Sequence, residues 1–526
     1  MGPRLIVLGW DSATFDVVDP LKEQGRLPVI SSLTARGFTA TLASTWPPMT
    51  DCAWTSAFTG RNPAGHGIWG SWYRAPGAYA CRYYSSRDRR TQSVWELSDG
   101  TRWLVWNVPM TFPPTPVSGA MVAGYAAPPG ARFCLPDSLL DSLGDRWPVD
   151  DLLDSAPHST LESFLEDLIR SLRAQAEAIP WAAREADADC IVAVWPQVDR
   201  AQHFMWRFRE TNHPLASAVD RVYEEIDRAT GAVIEAFPDA TVIVLSDHGA
   251  GDLRGDVNVA EWLATNGYAA YGSRGGSRLL ESAWKLPPGV RRVARRLAPA
   301  LARKTVGATL DLGSFDWPGT RAFMGFHGDL WLNLQGREPA GTVPDADAQS
   351  TLDEIADGLL AIEDPSTGAR VFKSVHKRNE IYSGPAIDLA PDAILDSWSA
   401  GYRVAPGRDR SDAIVVPPSP LAGVNEAWSS DHRPAGIFVA AGPRIASGSS
   451  ELSIYDVAPT ILALLEQAVP GDLDGRVATE ALAPEWVRDH PVVTGGSAGE
   501  RATGGGYSDD EASAVADHLR DLGYIE

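Results

Sequence analysis

"ATVIVLSDHGAG", residues 240–251, is the stretch from which the rest of the chain can be read. Thr241 to Leu245 form an uninterrupted β-branched and apolar run that leads into Ser246, Asp247 and His248. A run of this kind marks a strand buried on both faces of a sheet. A core strand has no use for an Asp-His pair at its end. Two other runs finish alike: "RLIVLGW" (4–10) leads into Asp11, and "CIVAVWPQV" (190–198) leads into Asp199. Helical patterns separate them, "FLEDLIRSLRAQAEAI" (164–179) and "PLASAVDRVYEEIDRATGAVIEAF" (214–237). Strands alternating with helices predict an α/β fold with a mostly parallel central sheet flanked by helices. Ligands bind beyond the carboxyl ends of such strands. One strand-end Asp is usually a cap or turn residue; three, two of them with a nearby His, mark a site.

The spacing sharpens this reading. In "DRAQHFMW" (199–206), Asp199 and His203 are four apart, so a helix projects both from one face, where they can grip one ion. Asp247-His248 suits a loop leaving a strand. His432, in "WSSDHRPAGIFVAAGP" (428–443), precedes another apolar run. Mixed Asp/His sets of this kind suit zinc or a similar divalent ion. His66, His213 and His327 read as ordinary core or surface residues. Within "PPMTDCAWTSAFTGRNPAGHGI" (47–68), two prolines stop the preceding chain, and Thr50 is expected to cap the short helix that follows. Unpaired N–H groups at such a helix start favour an anion.

Composition narrows the function. The chain has 526 residues, 44% of them hydrophobic and 22% charged, with a formal net charge of −22. That charge argues against a nucleic-acid polymer as partner and for a small anionic substrate admitted by local cations or metal ions. The four cysteines, Cys52, Cys81, Cys134 and Cys190, form no close pair. Their spacing excludes a disulfide scaffold and suits a reducing compartment. With no signal-peptide pattern and no long apolar stretch, the expected location is cytoplasmic, without a transmembrane segment. Oligomeric state is not legible.

The order Asp11, Thr50, Asp199-x-x-x-His203, Asp247-His248, His432 resembles the two-metal site of the alkaline phosphatase superfamily. The resemblance is strongest to its type I phosphodiesterase/nucleotide pyrophosphatase branch. Thr50 stands nine residues before the Thr-Gly of "FTGRNPAGHGI", where that branch keeps its nucleophile. "SDHGAG", "DHRPAGIFVAAGP" and "SIYDVAPTILALL" are similar to its later core segments, and "FDWPGTRAFMGFHGDLWLNLQGREP" more loosely so. The resemblance implies an alkaline phosphatase-like fold with inserted cap segments and two divalent ions, Zn2+ first and Mn2+ second. One ion would be held by Asp11, Asp247, His248 and Thr50, the other by Asp199, His203 and His432. It also implies attack on phosphorus by Thr50 and hydrolysis of the phosphothreonine. Where the branch places an Asn twenty-one residues after the nucleophile, this chain has Ser71. Trp69 and Trp72 flank it and are candidates to stack on a base, although with 19 tryptophans in the chain core packing is the commoner use. Cys52 is followed by Ala-Trp, so the sulfatase modification segment is absent.

The expected organisation is a catalytic core of residues 1–75, 181–252 and 426–492, interrupted by inserts at 76–180 and 253–425. Residues 493–526 read as a Gly-rich linker, "GGSAGERATGGG", and a C-terminal helix. "GGSAG" fits the Gly-x-Ser-x-Gly pattern but lacks the required strand–turn–helix context. "RDRR" (87–90) reads as a solvated charge run, with a phosphate-tail contact as the alternative. "PPGVRRVARRLAPALARK" (287–304) is a basic amphipathic pattern, for which an exposed helix is the default and a weak membrane-surface contact the alternative. The expected function is cleavage of phosphodiester or pyrophosphate bonds of a small substrate, with nucleotides as one class. The alternatives are a phosphomonoester or phosphonate hydrolase with the same ligands, and a non-catalytic binding protein on this fold.

Overall fold

In the computed structural model, nine strands make one sheet in the order Gly448–Ser453, Phe38–Ala43, Ala435–Ala441, Thr241–Leu245, Leu5–Trp10, Cys190–Trp195, Trp103–Trp106, Gly119–Val122 and Cys134–Leu135. The structure describes residues 2–144, 160–271, 315–405, 413–417 and 428–501, less 76, 80, 124–126, 128–130, 326 and 327, with a few residues beyond 501. Leu5–Trp10 lies parallel between Cys190–Trp195 and Thr241–Leu245, so the three runs read from sequence are adjacent central strands. Only Ala435–Ala441, against both of its neighbours, and the edge pair Gly119–Val122 with Cys134–Leu135 are antiparallel. All residues of the three central strands are buried, which is why their sequences do not alternate.

The helices Leu161–Glu185 and Ala218–Ala236 pack on each other and on this sheet. In the first, Phe164, Leu165, Leu168, Ile169 and Leu172 recur at helical spacing and are buried. The fold is the α/β, mostly parallel arrangement expected, with additional strand and helix segments.

The two stretches read as inserts behave differently. Residues 76–180 supply three short strands to the central sheet itself. The sequence hid them because they are only two to four residues long and lie among Pro and Gly. Within 253–425, a separate antiparallel sheet runs Ala322–Met324, Asp329–Leu332, Ala393–Asp396, Ser374–Lys377, with its own apolar cluster around Leu330, Leu332, Ile355 and Leu395.

The Gly-rich stretch after residue 493 is no free linker over its described part. Ser497 and Ala498 both bond to Asp472, Gly495 donates to the Val469 carbonyl, and Ala498 is fully buried. No strand–turn–helix forms there. Arg89 of "RDRR" is not solvated either: it is buried and paired with Glu96 at 2.7 Å. The basic pattern at 287–304, His327 and most of the C-terminal helix lie outside the described residues. Among the described residues no helix is long and apolar enough to cross a membrane. None of the four cysteines forms a disulfide, and all four are buried.

Candidate metal centre

The carboxyl ends of the three central strands meet at one buried cluster. Asp11 follows the strand Leu5–Trp10 directly. Asp199 and His203 share the inner face of the helix Gln197–Met205, with His203 Nε2 3.1 Å from Asp199 Oδ1. Asp247 and His248 occupy the turn between Thr241–Leu245 and Gly249–Asp252. His432 arrives on Ser430–Arg433, an antiparallel partner of Gly249–Asp252, which brings it against the other ligands from far along the chain. Its Nε2 is 3.2 Å from that of His203 and 3.6 Å from Asp199 Oδ1. Its ring stacks on His248 at 3.7 Å.

Among the described residues, two sets of three have ligand atoms close enough to share an ion: Asp199, His203 and His432, and Asp11, Asp199 and His248. Asp199 belongs to both. Asp247, expected with Asp11 and His248, stands beside them: its Oδ2 is 3.1 Å from His248 Nε2, while its Oδ1 accepts the Ser12 N–H at 3.0 Å. Ser12 reaches that bond from a left-handed backbone conformation, φ 64°.

The chemistry of the donors fits divalent ions. Each histidine places Nδ1 against a backbone carbonyl, His203 on Ser430 (3.0 Å), His248 on Gly249 (3.1 Å) and His432 on Pro48 (2.8 Å). A carbonyl only accepts, so Nδ1 carries the proton and Nε2 faces the cluster, the arrangement that orients metal-binding imidazoles. Asp11 Oδ1 is buried and accepts no hydrogen bond. Burial, then the charges of Asp247 and Asp199, raise the Asp11 carboxyl well above its usual range. Burial likewise pushes Asp247 up to about 8. Burial opposes the Asp199 charge too, but His203 and His432 outweigh it and hold this carboxyl well below its usual range. Against burial, Asp199 raises His432 to about 9. Burial and the neighbouring His432 depress His248. The ionised Asp199 opposes the ionisation of its buried neighbours Asp11 and Asp247, a strain that positive charge would relax.

Thr50 is the first residue of the helix Thr50–Thr59, and it is not the cap that the sequence suggested. Met49 is the N-cap, extended at φ −114°, and its carbonyl takes the first helical bond from Ala53. The two preceding prolines set that entry, one residue earlier than read. The Thr50 hydroxyl is therefore not spent on the helix; Oγ1 lies 3.4 Å from His248 Nε2. Ser71 sits beside it in a different role: its hydroxyl donates to Asp51 Oδ2 at 2.7 Å, and burial raises the Asp51 acid to about 6. Trp69 and Trp72 line a pocket with Pro47 and Trp331.

Sequence reasoning missed the outer supports. Trp54 Nε1 donates to Asp11 Oδ2 at 2.9 Å, and Trp428 lies 3.8 Å from the His203 ring. Trp54 was detectable in principle, being one helical turn after Thr50. Of the histidines set aside, His66 is buried between Ser56 and the Ile68 N–H, and His213 stacks on Phe208.

Similar architectures exist among solved structures. Alkaline phosphatase PafA is 14% identical, with a TM-score of 0.51, covering 92% of this chain and 99% of its own. Phosphonoacetate hydrolase from Sinorhizobium meliloti, solved with phosphonoacetate, is 15% identical with a TM-score of 0.50, covering 87% of this chain and 94% of its own. At these identities the likeness is one of fold. No curated protein matches in sequence. The family model that does match is "Type I phosphodiesterase / nucleotide pyrophosphatase", over residues 5–433. With most of its length inside that match and a clustered Asp/His site able to hold metal ions, the chain belongs to the type I phosphodiesterase/nucleotide pyrophosphatase family.

Proposed function

We propose that the protein is a two-metal hydrolase that cleaves phosphodiester or pyrophosphate bonds of a small substrate, with Thr50 as nucleophile. The observation that carries this reading is the unspent Thr50 hydroxyl at a buried helix start, directed at the Asp/His cluster. Asp11, Asp247 and His248 would hold one divalent ion and Asp199, His203 and His432 the other. Bound there, such ions lower the pKa of an adjacent hydroxyl and neutralise charge developing on phosphoryl oxygens. Zn2+ is the first candidate for the Asp/His set and Mn2+ the second.

The chain's own groups do the rest. The helix start presents backbone N–H groups to the phosphate. Thr50 Oγ1 forms a bond to phosphorus as the bond to the leaving group breaks, and water then hydrolyses the phosphothreonine. His432 and His203 hold their Nε2 atoms inward through backbone carbonyls, which fixes the site before substrate arrives. Ser71 cannot donate to the phosphate while its hydroxyl serves Asp51, and this favours a monoester or phosphonate as the second reading.

The test is metal content and hydrolysis of bis(p-nitrophenyl) phosphate and p-nitrophenyl phosphate by wild type and Thr50→Ala. Near two ions per chain and a diesterase activity reduced at least a thousandfold in Thr50→Ala are expected, the loss of a nucleophile being of that order. Activity confined to the monoester moves the assignment to a phosphatase. A metal-free, inactive protein after Zn2+ or Mn2+ is supplied makes the fold a binding scaffold.

A further inference from the structure

Asp51 is the one acidic side chain in the first turn of the helix that begins with Thr50, and the chemistry above does not use it. An acid at this place commonly offsets the helix dipole by bonding to free N–H groups of its own first turn. Asp51 bonds elsewhere. Its carboxylate takes the Ser71 hydroxyl at 2.7 Å, and among the described residues no cation pairs with it. Ser71 is fixed in turn, its carbonyl accepting the Tyr84 N–H at 2.9 Å. Asp51 is 7% exposed and Thr50 5%, so water and salt screen little between them.

The helix start therefore carries two opposed features. Its free N–H groups and the Asp/His cluster beside it draw a phosphoryl group in. The carboxylate next to Thr50 repels each negative charge that the group brings. At the reacting phosphorus a diester carries one such charge and a monoester two. This repulsion acts through the field, so no substrate atom has to reach the carboxylate.

We propose that Asp51, held in place by Ser71, is a specificity-determining residue that penalises the second negative charge of a phosphate monoester. It selects reacting phosphoryl groups with a single charge, as in diesters and in pyrophosphates esterified at both ends. The inference rests on the placement of the phosphoryl group at Thr50 given above. It weighs against the monoester alternative that the Ser71–Asp51 bond by itself leaves open.

The test compares two substrates of one shape. p-Nitrophenyl methylphosphonate has a methyl group where p-nitrophenyl phosphate has an oxygen, so leaving group and size agree while the charge differs by one. For both, kcat/KM per metal-loaded chain is measured on wild type and Asp51→Asn at pH 8.5, where carboxylate and monoester are ionised. The Asn side chain keeps the shape and, through its amide oxygen, the Ser71 bond. The ratio of the phosphate's kcat/KM to the methylphosphonate's is expected to rise about 10- to 100-fold in the variant. That is the order for one added unit charge about one helical turn from a carboxylate. Should Asp51→Asn not fold, Asp51→Ser removes the same charge and is measured in its place. An unmoved ratio overturns the proposal, and so does an equal gain or loss on both substrates, which would make Asp51 a structural residue. Thr50→Ala, run in parallel, keeps two failures apart. Hydrolysis that survives in Thr50→Ala overturns the nucleophile reading. Activity lost there, with the ratio unmoved in Asp51→Asn, overturns this inference alone.

Discussion

At the scale of single residues, the metal centre depends on groups that never reach it. Trp54 holds Asp11 through one N–H, so Trp54→Phe should leave the fold in place and weaken metal binding about 10- to 100-fold, the usual cost of losing an outer partner. Competition with a fluorescent chelator measures it. His66 makes a pH prediction of a different kind. Its Nδ1 accepts the Ile68 N–H and its Nε2–H serves Ser56; burial lowers its pKa from 6.5 to about 3. The unfolded chain therefore binds a proton that the folded chain refuses between those values. The stability contributed is complete above 6.5 and is lost as pH falls toward 3, at about 1.4 kcal/mol per pH unit. Urea unfolding from pH 7 to 4 should show a slope shallower by one proton in His66→Phe, although that variant is less stable at pH 7. The strand-end residues were legible because an Asp after an apolar run contradicts the strand it ends. The Ser71–Asp51 and Arg74–Glu338 pairs were not, since they join positions that no periodicity links.

At the scale of elements, the site is set by how closely the strand Leu5–Trp10 and the helix Thr50–Thr59 approach. Gly9 makes that approach: a Cβ there would lie 2.4 Å from the Trp54 ring and 2.9 Å from Val194. Gly9→Ala should destabilise the protein by about 1–3 kcal/mol, as overpacking does, and loosen metal binding through Trp54. Thermal unfolding with and without metal separates the two effects. The three central strands could be read because each is an unbroken apolar run ending in an Asp, and the two long helices because each repeats one period over many residues. Thr50 was misjudged as a cap because Met49, with no polar side chain, gives no capping signal although its backbone does the work. The short strands between 103 and 135 escaped for want of length.

At the scale of the whole molecule, the centre buries Asp11 and Asp247 beside the ionised Asp199, which hinders the ionisation of both. Removing the ions with a chelator should lower Tm by several degrees, more at pH 8 than at pH 6 because more carboxyl groups must ionise without compensation. Zn2+ or Mn2+ should restore it. An unchanged Tm at both pH values would mean that the cluster holds no ion.

The strand Ala435–Ala441 has a further consequence. It is inserted between Phe38–Ala43 and Thr241–Leu245, and its neighbour Ser430–Arg433 carries His432. During synthesis, everything upstream of residue 430 leaves the ribosome with a gap in the middle of the sheet and two unpaired strand borders facing it. Those borders are templates for foreign strands until the late segment closes them. The same closure delivers His432, so a truncated chain is at once aggregation-prone and short of one ligand of the candidate centre, and the two defects share one cure.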